Sequence, residues 1–185
     1  MTDIKHQLDK IKARISDAKF QRNEGIANEV GIHVFTYAPQ DELIVCDYIE
    51  RLVNTPSSSY RIIERDLYKI FLEILDEKRV LGTVPGLEEK KGKDFLLTQL
   101  QKIATQEEFL AKMKYEPHQP GDVLFLTGIG KAYPFMRAHK MLDTMQQAFS
   151  DVPIVMFYPG EFNGQSLILF DKFHDGNYYR AFNLL

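Results

Sequence analysis

Apolar residues recur along this chain with two different periods, and the changes between them mark its elements. Ile4, Leu8, Ile11 and Ile15 are spaced by four, three and four. That stripe predicts an amphipathic helix over residues 1–19, with Lys and Asp on the other faces. Ile32 to Tyr37 is β-branched and aromatic, and Pro39 closes it, so it predicts the first strand. A helix opening at Gln40 or Asp41 carries Val45, Ile49, Leu52 and Val53 on one face. After the loop signal Asn54-Thr55-Pro56-Ser57-Ser58-Ser59, Tyr60 to Glu64 predicts a short second strand. Asp66 is a plausible N-cap for a helix whose apolar face is Leu67, Ile70, Phe71, Ile74 and Leu75.

From Leu87 to Tyr115 the chain is charged and helical in period. Leu96, Leu100 and Ile103 share a face, and Thr105 to Glu108 fits a capping box. Two or three helices are expected over about 87–115, too many for a minimal crossover, so part of this insertion should stand out as a helical appendage. Then comes an apolar strand, Val123 to Leu126, followed by the loop Thr127-Gly128-Ile129-Gly130. A helix is expected from about Tyr133 to Phe149, with Pro134 in its first turn. A fourth strand, Val152 to Phe157, should stop at Tyr158-Pro159-Gly160. Leu167 to Phe170 fits a short strand or a helical turn. Tyr178 to Leu184 reads as a final strand of undetermined direction, after a turn at Asp175-Gly176-Asn177.

This alternation predicts one α/β domain over residues 1–185. Its mostly parallel sheet of about five strands would be flanked by helices, in Rossmann-like or P-loop-like layering without a Walker A motif. A length of 185 residues suits one domain. The net charge of −3 argues against DNA binding through a broadly basic surface, although a local basic patch is compatible with it. Cys46 is the single cysteine, which excludes a disulfide framework within the chain and a cysteine zinc site. Met1 to Lys19 is charged throughout, so no secretory leader is expected. No apolar run approaches the ~20 residues of a membrane span, and a cytoplasmic location follows as the expectation.

Candidate chemistry gathers after the third strand. Thr127, Gly128, Gly130 and Lys131 resemble part of a phosphate loop, in which glycines turn amides inward beside a helix N-terminus. The spacing fails, because no glycine precedes Gly130 as G-x-x-x-x-G-K-[ST] requires and Ala132 replaces the magnesium-binding hydroxyl. The dinucleotide spacing fails at Tyr133. Two readings are open: the glycines simply turn the chain, or the loop, Arg137 and Glu161 form an anion-binding rim. If the sheet is parallel, Thr127, Glu161 and Tyr37 reach one edge. Arg137 and His139 lie near Lys131 and Lys140, where a carboxylate or phosphate could bind and a solvated basic face is equally compatible. Five histidines, His6, His33, His118, His139 and His174, are scattered without ligand spacing, so no metal and no cofactor are expected. No G-x-S-x-G motif occurs. Two apolar features are candidates for a partner interface as well as for core packing: the stripe Ile4, Leu8, Ile11 and Ile15, and the aromatic–arginine run Tyr178, Tyr179 and Arg180.

The wording of the chain also carries a resemblance. FLTGIGKAYPFMRAH, VPIVMFYPGEFNGQSLILF and NYYRAFNL, with GIANEVGIHVFTYAPQDEL, RDLYKIFLEIL and EEKKGKDFLLTQL before them, closely resemble the BrxB family of bacterial phage-exclusion (BREX) defence systems. These phrases span nearly the whole chain. The resemblance implies a small core component that is not an enzyme. Its partners would be other BREX proteins: a PglZ-like phosphatase-fold protein, a BrxC-like ATPase and a PglX-like methyltransferase. A homo-oligomer is compatible with it. No catalytic residue is carried across from the family. The alternative is a degenerate nucleotide- or phosphate-binding enzyme that uses the 127–131 loop.

Overall fold

A computed structural model of the protein describes residues 4–24, 31–174 and 181–185. Strand β1 (Ile32–Tyr37) follows helices α1 (Ile4–Ser16) and α2 (Ala18–Gln21). Helix α3 (Glu42–Val53) leads to β2 (Arg61–Asp66) and α4 (Leu67–Glu77). Three helices, α5 (Val84–Lys91), α6 (Lys93–Ile103) and α7 (Gln106–Met113), precede β3 (Asp122–Thr127). Then come α8 (Ile129–Ala132), α9 (Ala138–Ala148), β4 (Ile154–Phe162), β5 (Leu167–Leu169), β6 (Phe173–His174) and β7 (Phe182–Asn183). The central sheet has the order β2-β3-β4-β1-β7 with every neighbouring pair parallel, which agrees with the mostly parallel sheet of about five strands expected from the sequence and supplies the strand order that the sequence left open. The described part of the last strand is therefore parallel to β1.

Alternation along the strands divides the core into two layers. Ile32, Val34, Leu124, Leu126, Ile154, Met156 and Tyr158 face α4, α6, α7 and α9. Phe35, Tyr37, Val123, Phe125, Val155 and Phe157 face α1, α2 and α3. Strands buried on both faces read as nearly continuous apolar runs, which is why 123–126 and 154–158 stand out so strongly. Leu8, Ile11 and Ile15 are fully buried in the second layer and Ile4 packs against it, so this stripe serves the chain's own core. Tyr178, Tyr179 and Arg180, with the turn at 175–177, lie outside the described residues.

Several local expectations change. The helix expected from Tyr133 breaks at Pro134: α8 ends at Ala132, Tyr133 is extended (φ −69°, ψ 136°), and α9 begins only at Ala138. A proline disfavours helical backbone in the residue before it, and that preference overrode the apolar period. The fourth strand runs on through Tyr158-Pro159-Gly160 rather than stopping there. Gly160 has φ 149°, and a Cβ on it would lie 2.0 Å from the Ile168 carbonyl oxygen, so β4 leans directly on β5 in an antiparallel extension. In the helical insertion, α6 and α7 bury Leu96, Leu100, Phe109 and Met113, whereas α5 buries no residue. Asp66 caps α4, accepting from the amides of Tyr68 (2.9 Å) and Lys69 (3.1 Å). Thr105 caps α7 by accepting from Glu108 (3.4 Å).

Candidate functional site

In an open parallel sheet, ligands bind outside the carboxyl ends of the two neighbouring strands from which the chain departs in opposite directions. Here those strands are β1 and β4. From β1 the chain crosses to the far edge at β2, and from β4 it passes beyond β1 to β7. Their carboxyl ends meet where Tyr37 pairs with Pro159.

Four side chains converge at this crevice. The buried Tyr37 hydroxyl donates to Glu42 Oε2 at 2.7 Å. Glu42 opens α3, and its Oε1 lies 3.5 Å from the Cys46 Sγ one turn later. Lys131, on α8, reaches over from the other face to within 3.7 Å of Glu42 Oε1 and 3.8 Å of Cys46 Sγ. Burial and the neighbouring Glu42 charge push the Tyr37 phenol far above its ordinary value. Burial, then the same carboxylate, also pushes the Cys46 thiol up, with Lys131 opposing them. The phenol and thiol are thus held protonated as hydrogen-bond donors, with Glu42 as their shared acceptor.

An anion binding here would meet Glu42 where it needs a positive end. The position that a phosphate loop would occupy, directly after the inner strand, is Ala38 followed by the 3₁₀ turn Pro39–Asp41. It has no glycine, and Glu42 supplies its own carboxylate to the first turn of α3. The negative charge that this helix N-terminus and Lys131 would attract is built into the chain.

The residues singled out from the sequence go to several places. Gly128 is left-handed (φ 70°), and a Cβ there would lie 2.1 Å from Asp66 Oδ1. A Cβ on Gly130 would press on the Phe170 ring (2.8 Å) and Pro159 (2.9 Å). Both glycines therefore permit close packing between elements. Lys131 joins the Tyr37 cluster. Thr127 is buried and donates to Glu64 Oε1 at 2.9 Å, away from Tyr37. Glu161 is exposed on the antiparallel extension opposite Ile168. Arg137 is the exposed residue preceding α9 and borders a 90 Å³ hollow with Tyr133, Tyr158 and Phe173. That volume is far below the ~300 Å³ of a small-molecule site. A larger polar hollow of 500 Å³, between Gln101, Thr105, Arg137 and Lys140, lies apart from the crevice. Among the described residues no group of three His, Cys, Asp or Glu is placed to hold a metal ion, and no helix is long and apolar enough to cross a membrane.

Glu42 and Cys46 were not singled out as site residues by sequence reasoning. The available signal was their i,i+4 spacing at the start of the helix after the first strand, which puts both on one face. What the sequence alone could not supply is Lys131, which is brought to them from 85 positions away.

Comparison with known proteins agrees along the whole chain. A family model described as BREX protein BrxB matches residues 63–184. A protein of Bacillus cereus (strain H3081.97) named BREX protein BrxB is 41% identical over 192 aligned positions, covering 100% of this chain and 99% of the relative. One of the same name from Escherichia coli O9:H4 (strain HS) is 31% identical over 185 positions, covering 98% and 92%. No solved structure matches the chain.

Proposed function

We propose that this chain, which belongs to the BrxB family of BREX phage-defence proteins, is a non-catalytic core subunit that bridges larger components of its system. Those components would be a PglZ-like protein, an ATPase and a methyltransferase, acting in phage restriction and host DNA methylation. The observation that carries this reading is the likeness to named BREX proteins over the full length of the chain. The crevice supports it, because Glu42 stands where a nucleotide phosphate would need a cation or a bare amide. Exposed apolar residues support it too: Leu43 (81% exposed) and Ile44 sit side by side on the first turn of α3, beside the crevice. Exposed apolar residues are ordinary singly, but an adjacent pair on one helical turn offers a place to dock.

The test is affinity purification of the tagged protein from cells that express the complete system, at low salt. Co-purification of at least one of the larger components is expected, and its weakening by Leu43→Asp would locate the surface. Recovery of the tagged protein without any of them would overturn the reading.

A further inference from the structure

Cys46 is the only thiol in the chain, so an oxidised Cys46 has no second cysteine of its own to resolve it. A sulfenic acid in that position reacts with whatever nucleophile stands beside it. Here that neighbour is an amine. Lys131 Nζ lies 3.8 Å from Cys46 Sγ, and Glu42 Oε1 lies 3.5 Å from the sulfur and 3.7 Å from the nitrogen. The carboxylate accepts from the thiol, forms an ion pair with the lysine, and is placed to receive a proton from either. Cys46 is partly accessible and the Lys131 side chain is half exposed, so a small oxidant can enter. The two residues come from opposite layers, Cys46 from α3 and Lys131 from α8.

We propose that Cys46 and Lys131 form a reversible sulfur–nitrogen cross-link when the protein meets hydrogen peroxide. The Cys46 sulfur attacks one peroxide oxygen; an S–O bond forms, the O–O bond breaks, and hydroxide leaves with the thiol proton as water. Sulfur is oxidised by two electrons and the peroxide is reduced. Lys131 passes one ammonium proton to the neighbouring Glu42 carboxylate, and the freed amine then attacks the sulfenic sulfur. An S–N bond forms, the S–O bond breaks, and the hydroxyl leaves as a second water with a proton from the amine. Thiol, amine and one peroxide give a sulfenamide and two waters. Because the raised thiol is a weak nucleophile toward peroxide, the first step is slow and needs sustained exposure. The product fastens α3 to α8 across the mouth of the crevice, and a thiol reductant reopens it.

The full-length protein is treated with hydrogen peroxide, its remaining thiols are alkylated, and it is digested with trypsin for mass spectrometry. Expected is loss of cleavage after Lys131, with the Cys46 and Lys131 peptides joined at two hydrogens below their summed mass and separated again by dithiothreitol. In Lys131→Arg the joined peptide disappears and dimedone captures Cys46 as sulfenic acid. Circular dichroism of that variant should match the wild type, since the replaced side chain is half exposed. A wild-type protein whose Lys131 stays cleavable while Cys46 passes to sulfinic or sulfonic acid overturns the proposal. So does a Cys46 that stays reduced under peroxide that oxidises free cysteine, or a joined peptide that survives in Lys131→Arg.

Discussion

His33 should make this protein acid-sensitive in a way that one substitution removes. It sits on β1, 6% exposed, on the layer that faces α1 to α3. Its ring lies between Phe20 (4.7 Å between centroids) and Phe182 (6.0 Å), and its buried Nδ1 has no hydrogen-bond partner among the described residues. Burial, then the nearby Arg14 charge, lowers its pKa from 6.5 to about 4. A depressed base is neutral in the folded state while the unfolded chain takes up a proton, so between these two values stability falls as the pH falls. From about pH 8 to about pH 5 the loss carried by this residue is roughly 2 kcal/mol, approaching about 3 kcal/mol below the folded value. With a urea slope of ~2 kcal/mol/M, that is a midpoint shift of about 1 M. Carboxylates held low, such as Asp122, push in the same direction at lower pH, so the readout is the difference between proteins rather than the raw slope. Urea unfolding of the wild type, His33→Phe and His33→Gln at both pH values would measure it. Phe keeps a ring between its two neighbours, Gln keeps a polar group, and neither titrates. Both variants should lose about 2 kcal/mol less than the wild type on acidification. If all three lose the same amount, His33 is not held neutral by burial and the reasoning fails.

Four further outcomes follow from other parts of the structure. Burial pushes the Asp122 carboxyl up, but bonds from Arg61 (2.6 and 2.7 Å), the Gln119 amide (2.9 Å) and Tyr115 (3.0 Å) outweigh it and hold it below its ordinary value. Asp122→Asn should therefore lower stability by roughly 2–3 kcal/mol, and pairing it with Arg61→Leu in calorimetry should restore part of the loss. Gly128→Ala should cost about 2 kcal/mol from positive φ and the Asp66 clash, while Gly82→Ala, with open space around it, should stay within about 0.5 kcal/mol. Glu42→Gln removes the charge that helps raise the Cys46 thiol, so iodoacetamide should label Cys46 faster at mildly alkaline pH than in the wild type. Nucleotides at saturating concentration, with or without magnesium, should leave the unfolding temperature unchanged, because a ligand that prefers the folded state must raise it.

Hydrophobic periodicity by itself determined the layered α/β architecture. Strands buried on both faces must be almost wholly apolar, and the helices between them must be amphipathic, so both are written locally in 32–37, 123–126 and 67–75. The caps at Asp66 and Thr105 were legible for the same reason: a cap acts within three residues. The failure of the phosphate-loop spacing was likewise visible in the sequence. Tertiary structure decided what depends on contact between distant segments. It placed the N-terminal stripe in the second core layer, broke the expected helix at Pro134, and carried β4 past Gly160 onto β5. It also gave Gly128 and Gly130 their purpose, since each leaves room for a side chain that the sequence places far away. The Tyr37–Glu42–Cys46–Lys131 cluster is of this second kind. Its members come from a strand, the helix after it and a short helix nearly ninety residues on, and only the parallel order of the sheet brings that helix to the mouth of the crevice.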